Sequence, residues 1–130
     1  DIIVGFPTET EEDFLESVNY LINSKVNFAH VFSYSDRPYA PSRKLKPKVS
    51  QDAIAKRSKQ LRSVSESKLR EFNRSQEGKE LEIIIEKVSK NPDGSFTYSG
   101  LSDNYISRSF NSFKVYKKGT PVKAPDSETD

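Results

Sequence analysis

The chain has 130 residues, of which 33% are hydrophobic and 31% charged, with eight Phe and six Tyr; this is too apolar for a wholly disordered segment and long enough for one ordinary domain or two small ones. It contains no Cys, which excludes disulfides, thiolate zinc sites and cysteine-held iron–sulfur clusters within these residues. The formal charge of +2 is unevenly spread: residues 1–42 sum to −5, residues 43–74 to +8 and the remainder to −1, so a polyanion would be drawn to the middle. No apolar run has the length to cross a bilayer and the first residues lack signal-peptide features, so a cytoplasmic protein without a membrane partner is expected.

Residues 1–6 begin with three β-branched side chains, Ile2, Ile3 and Val4, without polar alternation, which suits a central strand covered on both faces. Gly5-Phe6-Pro7 ends it. Thr8 or Thr10 can cap the next helix, and Thr10 with Asp13 has the form of a capping box. Phe14, Val18, Leu21 and Ile22 then give that helix an apolar face. FAHVFSY at 28–34 reads as a second strand, completing a βαβ unit with too little core to stand alone; the expectation is the end of a larger sheet, cut from a longer chain. From Ser50, the expected cap, a basic helix runs to about Gln76 or breaks near Ser63–Ser65, with Ile54, Leu61, Val64, Leu69 and Phe72 as an irregular apolar seam. It reads as a bridge between two modules, stopped by Gly78. Beyond it, strands are expected at 81–88, 95–99, 105–110 and 113–116, with turns at 90–94 and 100–104, in a small twisted barrel or sandwich.

His30, the only histidine, stands in the second strand without a visible partner and reads as structural. Glu11, Glu12, Asp13 and Glu16 have a sufficient explanation in the helix dipole. Glu9 is different, because the loop after a buried strand is where parallel β/α folds bind ligands. The cations from Arg43 to Arg74 could track phosphates or simply solvate a helix. Tyr98, Tyr105, Phe110 and Phe113 could stack on bases, although so small a domain needs most of them in its core.

Four stretches carry a resemblance to a known family: DIIVGFPTETEEDF at 1–14, HVFSYSDRPYAPS at 30–42, FNRSQEGKELEIIIE at 72–86 and YSGLSDNYI at 98–106. In order and spacing they resemble the C-terminal part of a radical S-adenosylmethionine methylthiotransferase, most like the branch acting on threonylcarbamoyl-adenosine in tRNA. The resemblance implies an α/β fragment from the end of a radical-SAM β/α barrel at 1–49, a basic linking helix at 50–77, a small all-β TRAM barrel that binds RNA at 78–125 and a flexible tail at 126–130. It implies S-adenosylmethionine and two 4Fe-4S clusters as cofactors of the intact enzyme, the cluster ligands lying outside this chain, one set in a CxxxCxxC loop. A 5′-deoxyadenosyl radical would abstract the hydrogen at adenine C2, sulfur would be inserted, and a second S-adenosylmethionine would methylate it. The partner would be a tRNA anticodon stem-loop, the protein a monomer, and the fragment alone inactive.

Carried over position by position, the resemblance implies that Ile3, Gly5, Glu9, Val31 and Phe32 lie at the S-adenosylmethionine pocket and Arg37 near substrate, while Lys79, Arg108, Lys114 and Lys117 contact phosphate. Two departures stand out. Thr8 and Tyr39 occupy positions where the family usually has Gly, so the loop at Thr8 is expected to be less able to take positive φ. The rival expectations are a self-sufficient RNA-binding module without redox chemistry, and a methylthiotransferase for a ribosomal protein or another modified adenosine.

Overall fold

The computed structural model describes residues 1–125, and the expected tail at 126–130 lies outside them. The chain divides into two compact units, Asp1–Phe72 and Asn73–Asp130.

The first unit is a two-stranded parallel sheet with helices on one face. Strands β1 (Ile2–Val4) and β2 (Val31–Ser33) pair in the register Ile3 to Phe32. Helix α1 (Glu11–Asn23) connects them. Its start is the expected capping box: Asp13 N–H donates to Thr10 Oγ1 at 3.0 Å and Thr10 N–H to Asp13 Oδ2 at 2.9 Å. Helix α2 (Gln51–Ser75) runs unbroken through Ser63–Ser65, and Ser50 Oγ accepts from Ala53 N–H at its start.

Period-two alternation sorts the strands. Val4 and Val31 face a core completed by Phe14, Val18, Leu21, Ala29 and Leu61, while Ile22, counted in the seam, is exposed. The opposite face is open: Ile3 is 57% and Phe32 52% accessible. The expectation of a strand covered on both faces therefore holds for one face only among the described residues.

Helix α2 packs by Ile54, Ser58, Leu61 and Ser65, spaced four, three and four apart. The two serines are more than filler. Ser65 Oγ accepts from Ala29 N–H at 2.8 Å and donates to Ala29 C=O at 2.9 Å, and Ser58 Oγ meets Ser33 Oγ at 2.8 Å. Those bonds satisfy polar groups where helix and strand end come too close for larger side chains. Gly5 serves the same closeness, since a Cβ there would stand 2.3 Å from Ile54 Cγ1 at a φ of +83°.

The second unit is an antiparallel sheet curled into a half-barrel, in the order β5-β4-β3-β6. Its strands are β3 (Leu81–Lys90), β4 (Phe96–Ser102), β5 (Ser107–Ser112) and β6 (Pro121–Ala124). Three expectations are corrected here. Strand β4 continues through Gly100, where a turn was expected, because the register shift between Ile85 and Lys87 brings the β3 backbone close; a Cβ on Gly100 would lie 1.8 Å from Ile84 C=O. Residues 113–116 form no strand; Tyr116 instead turns back onto Tyr98, with ring centroids 5.2 Å apart. The fourth strand is β6, whose single apolar pair, Val122 and Ala124, gave no readable alternation.

Ile83, Ile85, Tyr98, Ile106 and Ala124 form the buried interior. Tyr98 anchors it: its hydroxyl donates to Lys114 C=O at 2.6 Å and accepts from Tyr116 N–H at 3.1 Å.

Candidate functional site

Both strands of the first unit end in the same kind of turn. After β1, Glu9 N–H donates to Phe6 C=O at 2.9 Å across Pro7 and Thr8. After β2, Ala40 N–H donates to Arg37 C=O at 3.2 Å across Pro38 and Tyr39. Proline in the second position and positive φ in the third define type II turns, which favour Gly in the third. Here Thr8 has φ +77° and Tyr39 φ +68°. The loop at Thr8 thus takes the conformation it was expected to resist, held by the bond from Thr8 N–H to Pro47 C=O at 2.8 Å, and bears the strain of a β-branched residue in that region.

The open sheet face and the second turn enclose a cleft of about 620 Å³ lined by Ile3, Phe6, Phe32, Tyr34, Arg37 and Ser42 among others. Of the five residues expected at a cofactor pocket, two line it: Ile3 and Phe32. The other three lie elsewhere. The Val31 side chain is buried against the helices. Gly5 faces Ile54 of α2. Glu9 is engaged by Arg57: Oε1 stands 2.9 Å from Arg57 Nη1 and accepts from Gly5 N–H at 3.2 Å, with the two side chains only 11% and 12% accessible. Arg57 also donates to Glu9 C=O at 3.2 Å and lies 5.7 Å from the centre of the Phe14 ring. A carboxylate so occupied locks the first turn onto α2. Arg37 does line the cleft and is exposed.

Below the second turn, Lys48 Nζ donates to Asp36 Oδ1 at 3.2 Å and to the carbonyls of Ser42 at 3.3 Å and Arg43 at 2.6 Å. The Tyr34 hydroxyl donates to Asp36 Oδ1 at 2.9 Å and lies 3.0 Å from Ser42 Oγ. The Tyr34 hydroxyl, followed by the Lys48 ammonium, holds the Asp36 carboxyl below the usual carboxylate range. This network fixes the loop over 36–44.

The basic run divides by role. Lys68 places its ammonium on the carbonyls of Leu21 at 2.5 Å and Ser24 at 2.9 Å, supplying from α2 the cation that the last turn of α1 lacks. Arg62 donates to Val31 C=O at 3.3 Å. Lys56, Lys59, Arg70 and Arg74 face solvent along α2, and Arg37, Arg43, Lys44 and Lys46 are exposed around the second turn. Electrostatic reach remains in these two groups.

In the second unit Lys79, Lys114 and Lys117 are exposed. Arg108 is not: it is 5% accessible, and its guanidinium donates to the carbonyls of Lys79 at 2.9 Å, Pro125 at 3.1 Å and Gln76 at 2.8 Å. Arg108 therefore ties β5 to Gln76 and Lys79 on one side and to Pro125 on the other, its guanidinium engaged by carbonyls where a phosphate contact was expected. The aromatic candidates divide likewise: Tyr98 is core, Phe110 packs on it at 5.4 Å, and Tyr105 and Phe113 are exposed. His30 is exposed, with Nδ1 3.3 Å from Asp1 Oδ1.

No family model matches the chain. Individual relatives do. It is 41% identical over 85 residues, 65% of its length, to the threonylcarbamoyladenosine tRNA methylthiotransferase MtaB of Aquifex aeolicus, covering 21% of that protein. The MtaB of Bacillus subtilis is 35% identical over 120 residues, 92% of this chain and 25% of that protein. A tRNA-2-methylthio-N(6)-dimethylallyladenosine synthase of Acetivibrio thermocellus is 37% identical over 97 residues, 75% of this chain and 20% of that protein. The chain is thus a homologue of the tRNA methylthiotransferases, aligned with their C-terminal region. Among these three the identity is highest with the Aquifex aeolicus MtaB. The chain spans a quarter or less of the length of the relatives it matches.

Proposed function

We propose that the chain is part of an enzyme that methylthiolates C2 of threonylcarbamoyl-adenosine beside the tRNA anticodon. The observation that carries this is the 35% identity with the Bacillus subtilis MtaB through 92% of the chain, across both compact units. The identity with the dimethylallyladenosine synthase favours a second reading, in which the same chemistry acts on another modified adenosine.

In this account the first unit is the end of a radical-SAM β/α barrel. Parallel strands covered by helices on one face and bare on the other are what a segment of barrel wall presents, with Ile3 and Phe32 on the inward side. S-adenosylmethionine, when bound, supplies both the radical and the methyl group. Its adenine suits a cleft with apolar walls from Ile3 and Phe32, and the exposed Arg37 lining it can orient an anionic nucleotide. Iron–sulfur clusters do not fit this chain, which has no Cys and, among the described residues, no group of three potential metal ligands; their ligands belong to residues outside these 130. The second unit is the TRAM-like module, with exposed Lys79, Lys114 and Lys117 for phosphates and the exposed rings of Tyr105 and Phe113 for bases.

A salt titration of binding to a tRNA anticodon stem-loop and to an unrelated hairpin tests the RNA part. Affinity should fall steeply with salt and favour the anticodon stem-loop. Equal binding to both hairpins would reduce it to general polyanion attraction. A CxxxCxxC motif encoded upstream of Asp1 is expected, and a complete gene without one would remove the radical chemistry.

A further inference from the structure

Tyr39 is fully exposed, and among the described residues neither a hydrogen bond nor a ring contact holds its side chain. Its backbone lies at φ +68°, where a side chain costs about 1–2 kcal/mol relative to Gly. The fold thus bears a cost for this ring and gains no packing from it. The loop beneath is nevertheless rigid, held by Lys48 on Asp36, Ser42 and Arg43 and by Tyr34 on Asp36. A planar, exposed ring is presented on a fixed support.

Its surroundings specify what it could take. A cleft of about 650 Å³ is lined by Tyr39, Ala40, Pro41, Arg43 and Lys44, and Ala40 also lines the 620 Å³ cleft above Ile3 and Phe32. The one acid on the loop, Asp36, is occupied by Lys48. An aromatic face flanked by exposed Arg37, Arg43 and Lys44 matches an unpaired nucleotide, with the base stacked and the phosphates neutralised.

We propose that Tyr39 is a stacking post for an unpaired RNA base, the neighbour of the nucleotide that Arg37 orients beside the Ile3–Phe32 cleft, with Arg43 and Lys44 on the intervening phosphates. This rests on the tRNA reading above. It makes Tyr39 a determinant of how tightly the anticodon loop binds, whatever base is stacked, at a position where a glycine would leave that base unsupported.

The test compares the 130-residue chain with its Tyr39→Phe, Tyr39→Leu and Tyr39→Gly variants, reading fluorescence anisotropy with a labelled anticodon stem-loop at one fixed salt and thermal unfolding in parallel. Tyr39→Phe is expected to bind within about twofold of the parent, and Tyr39→Leu and Tyr39→Gly about 5- to 150-fold more weakly. Tyr39→Gly should also unfold at a higher temperature, because it relieves the left-handed strain. Weaker RNA binding by a better-folded variant cannot arise from damage to the fold. Arg43→Ala should lower the salt slope by about 0.7, one phosphate on a single strand, while Tyr39→Leu leaves the slope unchanged. Parent-like binding by Tyr39→Leu and Tyr39→Gly would overturn the stacking role and leave the tRNA reading standing. No binding by the parent chain would overturn both.

Discussion

Replacing Arg57 by Met should destabilise the first unit by about 3 kcal/mol, at the low end of the 3–5 kcal/mol expected when one partner of a buried ion pair is removed. The magnitude follows from the surroundings of Glu9. With Arg57 gone, its carboxylate keeps one bond, from Gly5 N–H at 3.2 Å, in a site where the side chain is 11% accessible. Glu9 C=O also loses its 3.2 Å donor, a further loss of about 1 kcal/mol. Residual solvent contact and the apolar length of Met offset part of the sum. Glu11 supplies an internal control: it lies 3.3 Å from the same guanidinium but is 65% accessible, so Glu11→Ala should cost no more than about 0.5 kcal/mol. Urea unfolding followed by circular dichroism measures both; helices α1 and α2 report the first unit. Adding Glu9→Gln to Arg57→Met should recover part of the loss, since a neutral amide is cheaper to bury than an unpaired carboxylate. A cost below 1 kcal/mol for Arg57→Met, or no recovery in the double variant, would refute the assignment of Glu9 to the fold and reopen it as a ligand contact.

Thr8→Gly should raise stability by about 0.5–1 kcal/mol, the left-handed strain of about 1–2 less the extra entropy of an unfolded glycine; a lower denaturation midpoint would contradict the strain. Lys68→Met should cost about 1–2 kcal/mol by uncapping the end of α1, with faster amide exchange expected around Ser24. Tyr98→Phe should cost about 1–3 kcal/mol in the second unit, because Lys114 C=O and Tyr116 N–H lose their shared hydroxyl, and near-ultraviolet dichroism or hydrogen exchange can follow it. Acid should weaken the fold. Asp13 is held below the usual carboxylate range first by the Thr10 N–H and then by its hydroxyl, and Asp93 by the Ser95 hydroxyl and then its N–H. Folded values that are depressed give stability that is complete above the unfolded carboxylate range, near pH 4, and is lost as the pH falls through the folded values. Asp13→Asn should flatten that decline in a pH series of unfolding midpoints.

Legibility in the sequence followed how local the cause was. The capping box of Thr10 and Asp13, the seam of Phe14, Val18 and Leu21, and the Asp93-Gly94 turn involve residues within a few positions of one another, and all were readable. Strand β6 was not, because its place depends on pairing Leu81 with Ala124 and Ile84 with Pro121, nearly the whole unit apart. The packing face of α2 was half visible. Ile54 and Leu61 stood out, but Ser58 and Ser65 complete the spacing of four, three and four and were passed over as polar; small residues on a continued apolar period were the available signal.

At the candidate site, charge alone did not separate roles. Glu9 and Arg57 are 48 positions apart, and no local pattern links them, so a loop carboxylate read as a ligand contact when its partner was a distant helix. Lys68 and Arg108 were counted with the phosphate-seeking cations for the same reason, although each spends its charge on backbone carbonyls. The turns were more informative. Pro7 and Pro38 mark a turn after each strand by their placement, while Thr8 and Tyr39 in the third position argued against the positive φ that both adopt beside the candidate site.

The proposed activity is methylthiolation of a modified adenosine in tRNA. Nucleosides digested from total tRNA of cells with and without the gene, separated by liquid chromatography and weighed by mass spectrometry, test it most directly. Removal of the gene should abolish 2-methylthio-threonylcarbamoyl-adenosine and let its unthiolated precursor accumulate, and both should return to normal when the gene is restored. An unchanged nucleoside profile would contradict that activity.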